Sequence, residues 1–125
     1  MRRDDDLLRK LMLDLELAKS RIFHSHEVSG YTQDQVAYHL ALILKAGFAE
    51  GGVPRYLSDG SDPTIPSAVV VSRLTPDGHD FIDEVRDDAV WANVKERTAK
   101  VGGSVSLEVL KQLAGAVAKQ MVGLP

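Results

Sequence analysis

The densest run of metal-ligating side chains is His24-Ser25-His26-Glu27. Extended backbone would place His24 and His26 on one face, presenting two imidazole nitrogens to a zinc ion. Spacing supplies no third ligand, so these histidines read as exposed turn residues, and neither a metal nor a cofactor is expected. His79 and Asp83 lie four apart, the separation at which helical side chains meet. Acid–base chemistry would also need a cleft and a third group, so the pair reads as surface decoration near a helix start. Arg55 and Arg73 flank a turn-rich stretch and are the cations placed to reach a nucleic-acid backbone. No phosphate loop, dinucleotide fingerprint or nucleophile elbow occurs. The chain has no cysteine, which excludes thiolate zinc sites, disulfides and cysteine nucleophiles. The expectation is a protein that is not an enzyme.

Composition sets the frame for those residues. With 125 residues, 44% of them hydrophobic and 26% charged, the chain has the mixture of an ordinary globular domain able to build one core. Its net charge of −3 counts against nucleic-acid binding, because phosphate affinity draws on surplus cations. The opening MRRDDDLLRK lacks the apolar core of a secretory signal. The longest apolar stretch, Val36 to Ala49, is interrupted by His39 and Lys45 and is too short to span a bilayer. A cytoplasmic protein without membrane contact is expected.

The elements that must position these residues follow from periodicity. Leu8, Leu11, Met12, Leu15 and Ala18 form an apolar stripe, predicting a helix from about Asp4 to Ser20. A brief strand is expected around Ile22 to His24. Thr32 followed by Gln35 has capping-box spacing and opens a second helix, which Gly47 ends. Val36, Ala37, Leu40, Ile43 and Leu44 are its expected buried face. Phe48 to Leu57 and Ala68 to Leu74 read as two strands joined by SDGSDPTIP, a run of turn formers. Thr75-Pro76-Asp77 starts another helix, with threonine as cap and proline in the first turn. Phe81, Ile82, Val85, Ala89 and Ala92 line one side of it, whereas Val90, Trp91 and Val94 fall on another, predicting a bend near Asp87-Asp88. Trp91 is expected to fill the core. After Gly102-Gly103, Leu107, Leu110, Ala114, Val117, Met121 and Leu124 are spaced three, four, three, four, three, a heptad-like seam.

The order helix, helix, two-stranded β-hairpin, helix is a winged-helix pattern within an α+β class. It predicts a winged-helix-like domain over residues 1–101 and a helical extension over 102–125 for packing or dimerisation. The segments RRDDDLLRKLML, YTQDQVAYHLALILKAGFAE, LTPDGHDFIDEVRDDAVWANVK and LEVLKQLAG together resemble domain-of-unknown-function family 2513, small proteins of bacteria and their phages. That resemblance spans nearly the whole chain and implies a fold and a context, but no activity. More broadly, YHLALILKAGFAE followed by a hairpin and RLTPDGHDFI looks like winged-helix transcription regulators. Residues 21–31 depart from that pattern, being too few for a separate second helix and its turn.

Two surfaces follow from the helical wheel. The outward side of the Thr32–Ala46 helix is expected to carry Asp34, Tyr38, Ala41, Leu42 and Lys45, a poor base-reading face but an apolar strip suited to a partner. Asp59 and Asp62 make the tip of the expected wing acidic. The seam Leu107, Leu110, Ala114, Val117 and Met121 is the candidate dimer contact. The favoured reading is a protein-interaction module that forms homodimers or meets a protein partner. The alternative is a small DNA-binding regulator of phage or bacterial type using Arg55 and Arg73.

Overall fold

The computed structural model describes residues 1–123, so Leu124, the last position of the predicted seam, lies outside the described residues. These residues form a mixed α+β protein: α1 (Asp5–Leu17), β1 (Ile22–Phe23), α2 (Gln33–Lys45), β2 (Ala49–Gly51), β3 (Val70–Leu74), α3 (Pro76–Val85), α4 (Asp88–Lys100) and α5 (Leu107–Met121). Two compact units divide between His79 and Asp80. The Gly102-Gly103 break, expected as a domain boundary, instead lies inside the second unit. No helix among the described residues is long and apolar enough to cross a membrane.

In the first unit α1 packs against α2 and β3. Asp4 caps α1 by accepting from the Leu7 N–H, and Leu7, Leu8, Leu11, Met12 and Leu15 are buried. The helix stops at Leu17, before the predicted end, which leaves Ala18 exposed. The capping box of α2 is complete: Thr32 Oγ1 accepts from the Gln35 N–H at 3.1 Å, and Gln35 Oε1 accepts from the Thr32 N–H at 2.8 Å. Gly47 ends α2 at φ 77°, in the left-handed region that favours glycine.

The expected two-stranded hairpin is a three-stranded antiparallel sheet in the order β1-β3-β2. Ile22 pairs with Val71 and Phe23 with Val70, so the short strand after α1 forms an edge of the sheet. On the other side Ala49 pairs with Leu74 and Glu50 with Arg73. The ladder shifts register between Glu50 and Gly51, which is why β2 ends well before Leu57. A Cβ on Gly51 would lie 2.1 Å from the Val70 carbonyl oxygen, so only glycine fits there. Pairing resumes briefly where the Arg55 N–H donates to the Ala68 carbonyl.

The residues after β3 fasten the start of α3 to the end of α2. The Thr75 N–H donates to the Phe48 carbonyl at 3.0 Å, and Thr75 Oγ1 donates to the Gly47 carbonyl at 2.5 Å. The same hydroxyl accepts from the Gly78 N–H at 3.1 Å, capping the helix. A Cβ on Gly78 would sit 1.9 Å from the Phe48 carbonyl oxygen. The Ala-Gly-Phe and Leu-Thr-Pro-Asp-Gly segments are thus two halves of one backbone junction.

In the second unit the predicted bend is a break. Asp87 caps α4 by accepting from the Ala89 and Val90 N–H groups. Phe81, Ile82 and Val85 are buried before the break, and Val90, Trp91 and Val94 after it. The restart turns Ala89 and Ala92 outward, so they do not continue the earlier face. α5, capped by Ser106, packs along α4. Arg97 on α4 is hydrogen-bonded to Asn93 and to Gln120 of α5.

Candidate functional site

The predicted strip on α2 is only partly a surface. Tyr38 and Leu42 are half-buried and Lys45 is exposed, but Ala41 retains 3% of its surface. Placing Ala41 outward is therefore corrected: the buried arc of α2 is wider than the five residues first assigned to it. The arc includes His39, which is fully buried. His39 Nε2 accepts from the Asp4 N–H at 2.7 Å, and Nδ1 donates to the Gln35 carbonyl at 2.7 Å. Burial pushes this imidazole below the ordinary histidine value, with Arg3 acting in the same direction. The Gln35 carbonyl and the charges of Asp4 and Asp5 oppose that shift without overcoming it. A neutral histidine thus ties the start of α1 to α2, and the Tyr38 ring meets it edge-on at 5.3 Å.

The seam on α5 is likewise covered by the chain itself. Leu110, Ala114 and Val117 are buried, Leu107 is half-buried, and Met121 is 47% exposed. Its three central positions are not open to a second chain. Heptad-like spacing reported a helix with one buried side and not which element buries it.

The candidate cations are not brought together. Arg73 lies opposite Glu50 and pairs with it at 3.1 Å, both side chains exposed. Arg55 lies opposite Ala68, five residues away along the strand path, or about 17 Å. Lys45 stands 5.7 Å from the centre of the Tyr56 ring. Asp59 and Asp62 are exposed on the loop between the strands and are held below the ordinary aspartate range by hydrogen bonds from Ser61 and Thr64.

Nor do the histidines converge. His24 follows the last residue of β1, where its Nδ1 accepts from the Val69 N–H at 3.3 Å. The chain then turns, the His26 N–H donating to the Phe23 carbonyl, and His26 Nε2 meets Asp14 of α1 at 2.9 Å. Among the described residues no three histidine, aspartate or glutamate side chains are grouped to hold a metal. Asp83 pairs with Arg86 at 2.9 Å. Trp91 is buried, as a core residue.

What the structure assembles instead is an apolar groove of about 580 Å³ across the outer face of the sheet. Phe23 and Val70 are register partners, Ala68 precedes Val70 by two and shares its face, and Val53 closes the far side. Phe23 is 51% exposed and Val53 89%. Arg55 and His24 supply the polar rim, and no carboxylate lines the groove. Ile22, Val69 and Val71 face the core. Sequence reasoning passed over this site, although the signal was present: Ala68 to Val71 is apolar at every position. Strands that read this way are usually covered on both faces.

These features define a small α+β domain with an open apolar sheet face. The chain belongs to the family described as "Hypothetical protein (DUF2513)", whose model matches residues 2–104. It is 30% identical over 125 residues to an uncharacterized protein of Haemophilus influenzae, covering 98% of this chain and 99% of that one. No solved structure matches it.

Proposed function

We propose that this protein is a non-enzymatic interaction module of winged-helix type that associates with a second copy of itself. The order helix, strand, helix, strand, strand, helix, with β1 beside β3, supports the winged-helix assignment. In this reading residues 24–31 make the tight connection that replaces a separate second helix, and the loop after β2 is the wing. The observation that carries the interaction reading is the groove. Phe23 and Val53 expose large apolar surface on the two sides of one groove, on a sheet whose other face is filled, and such patches usually meet a partner. Self-association here does not use the α5 seam, whose centre is already covered.

A DNA-binding regulator is the second reading, favoured by the element order and by the exposed Arg55. The Arg73–Glu50 pair and the acidic loop weigh against it, since both remove positive potential where phosphate would approach. Light scattering after size-exclusion chromatography, followed by titration with mixed duplex DNA at low and moderate salt, separates the two. A dimer that ignores DNA is the expected result. A monomer that binds DNA with steep salt dependence would replace this reading with the second.

A further inference from the structure

We infer that the occupant of the sheet groove is the loop of a second copy, residues 56–66, inserted reciprocally so that each subunit both gives and receives. This deepens the self-association proposed above and rests on it. Three observations carry it. The groove is apolar with a cation at its rim, and neither Asp nor Glu lines it. It therefore selects a segment that is apolar and anionic. The loop has that composition: Leu57 is 57% exposed, and Asp59 and Asp62 in the same loop are exposed. Their carboxylates are organised by the chain itself, Asp59 accepting from Ser61 at 2.5 Å and Asp62 from Thr64 at 2.6 Å. The loop thus presents fixed negative charge at little further ordering cost.

Topology makes the exchange reciprocal. Val53 and Arg55 line the groove and Leu57 follows Arg55 by two residues, so groove and loop are joined directly in sequence, while Leu57 and Asp62 border a separate, smaller pocket beside Asp34. A twofold axis near this junction places each loop over the other groove in one self-complementary contact, the arrangement that closes a dimer rather than propagating a fibre. Arg55 then meets Asp59 or Asp62 of the second copy, while Leu57 enters among Phe23, Val53 and Val70.

The test is a charge exchange in sedimentation velocity, with the full chain in every case. Arg55→Glu and the double variant Asp59→Arg, Asp62→Arg should each weaken dimerisation by about tenfold or more. Mixed in equal amounts they should associate more tightly than either variant alone, because one crossed contact keeps its Arg55–aspartate pairing and the other regains opposite charges, although the arginine-bearing loop has lost its hydrogen bonds from Ser61 and Thr64. Circular dichroism of each variant should match wild type, all three positions being exposed. A wild-type dimer unaffected by either variant, or a mixture that fails to restore association, would overturn the loop as occupant while leaving self-association standing. A wild-type monomer at every concentration would overturn both.

Discussion

The seam of α5 and the outer face of the sheet are both apolar, yet the chain treats them differently. On α5, Leu110, Ala114 and Val117 are covered by the same polypeptide, and of the seam only Met121, the last residue of the helix, is exposed. On the sheet, Phe23 and Val53 stay open even though Ile22 and Val69 beside them are buried. The difference lies in what is available to cover each. A helix hairpin closes on itself through a short glycine turn, whereas a sheet face needs another layer. Here the layer on one face is α1 and α2, and the other face keeps its groove. Apolar surface used for folding and apolar surface left for a partner can thus be distinguished by mutation.

Substitutions should fall in order of how far they reach into the covered side. Leu110→Asp buries an unpaired charge and should cost about 3–5 kcal/mol, unfolding the helical unit rather than merely dissociating a dimer. Urea denaturation followed by circular dichroism measures this, and a fully folded monomer would return α5 to the role of interface. Gly78→Ala should cost about 3 kcal/mol, because its Cβ has only the Phe48 carbonyl to occupy and neither backbone can yield. Thermal unfolding reads that loss directly.

The pH dependence of stability probes the covered side without adding bulk. His39 is held neutral in the fold, so its protonation is easier in the unfolded chain than in the native one. The stability it secures is complete above the unfolded value of about 6.5 and declines as pH falls through that value toward the lower folded one. Urea midpoints at about pH 7.5 and about pH 5.5 should therefore differ, and His39→Gln should flatten the difference. An unchanged slope in the variant would remove His39 from the account. At the open extreme, Val53→Asp should leave stability within about 0.5 kcal/mol of wild type, since the side chain it replaces is already in solvent.

Much of the covered side was legible in local patterns. The Thr32–Gln35 box, the Thr75-Pro76 start and the break at Asp87 each depend on residues a few positions apart, and each stands where spacing put it. Whatever depended on distant pairing was not legible. The partnership of Ile22 with Val71 spans the whole of α2, so the strand after α1 could be foreseen but its place in the sheet could not. The groove inherits that difficulty, because Phe23 and Val70 meet only through this pairing. Ala41 was misplaced, and the burial of His39 was not foreseen, for another reason: a helical wheel with one assumed buried face cannot anticipate an element packed on two sides, as α2 is by α1 and the sheet.

The most direct test of the central claim is sedimentation velocity on wild type and Val53→Asp across a wide concentration range, with circular dichroism on the same samples. Wild type should be a dimer and Val53→Asp a monomer with an unchanged fold. A dimer that survives Val53→Asp, or a wild type that never associates, would contradict that claim.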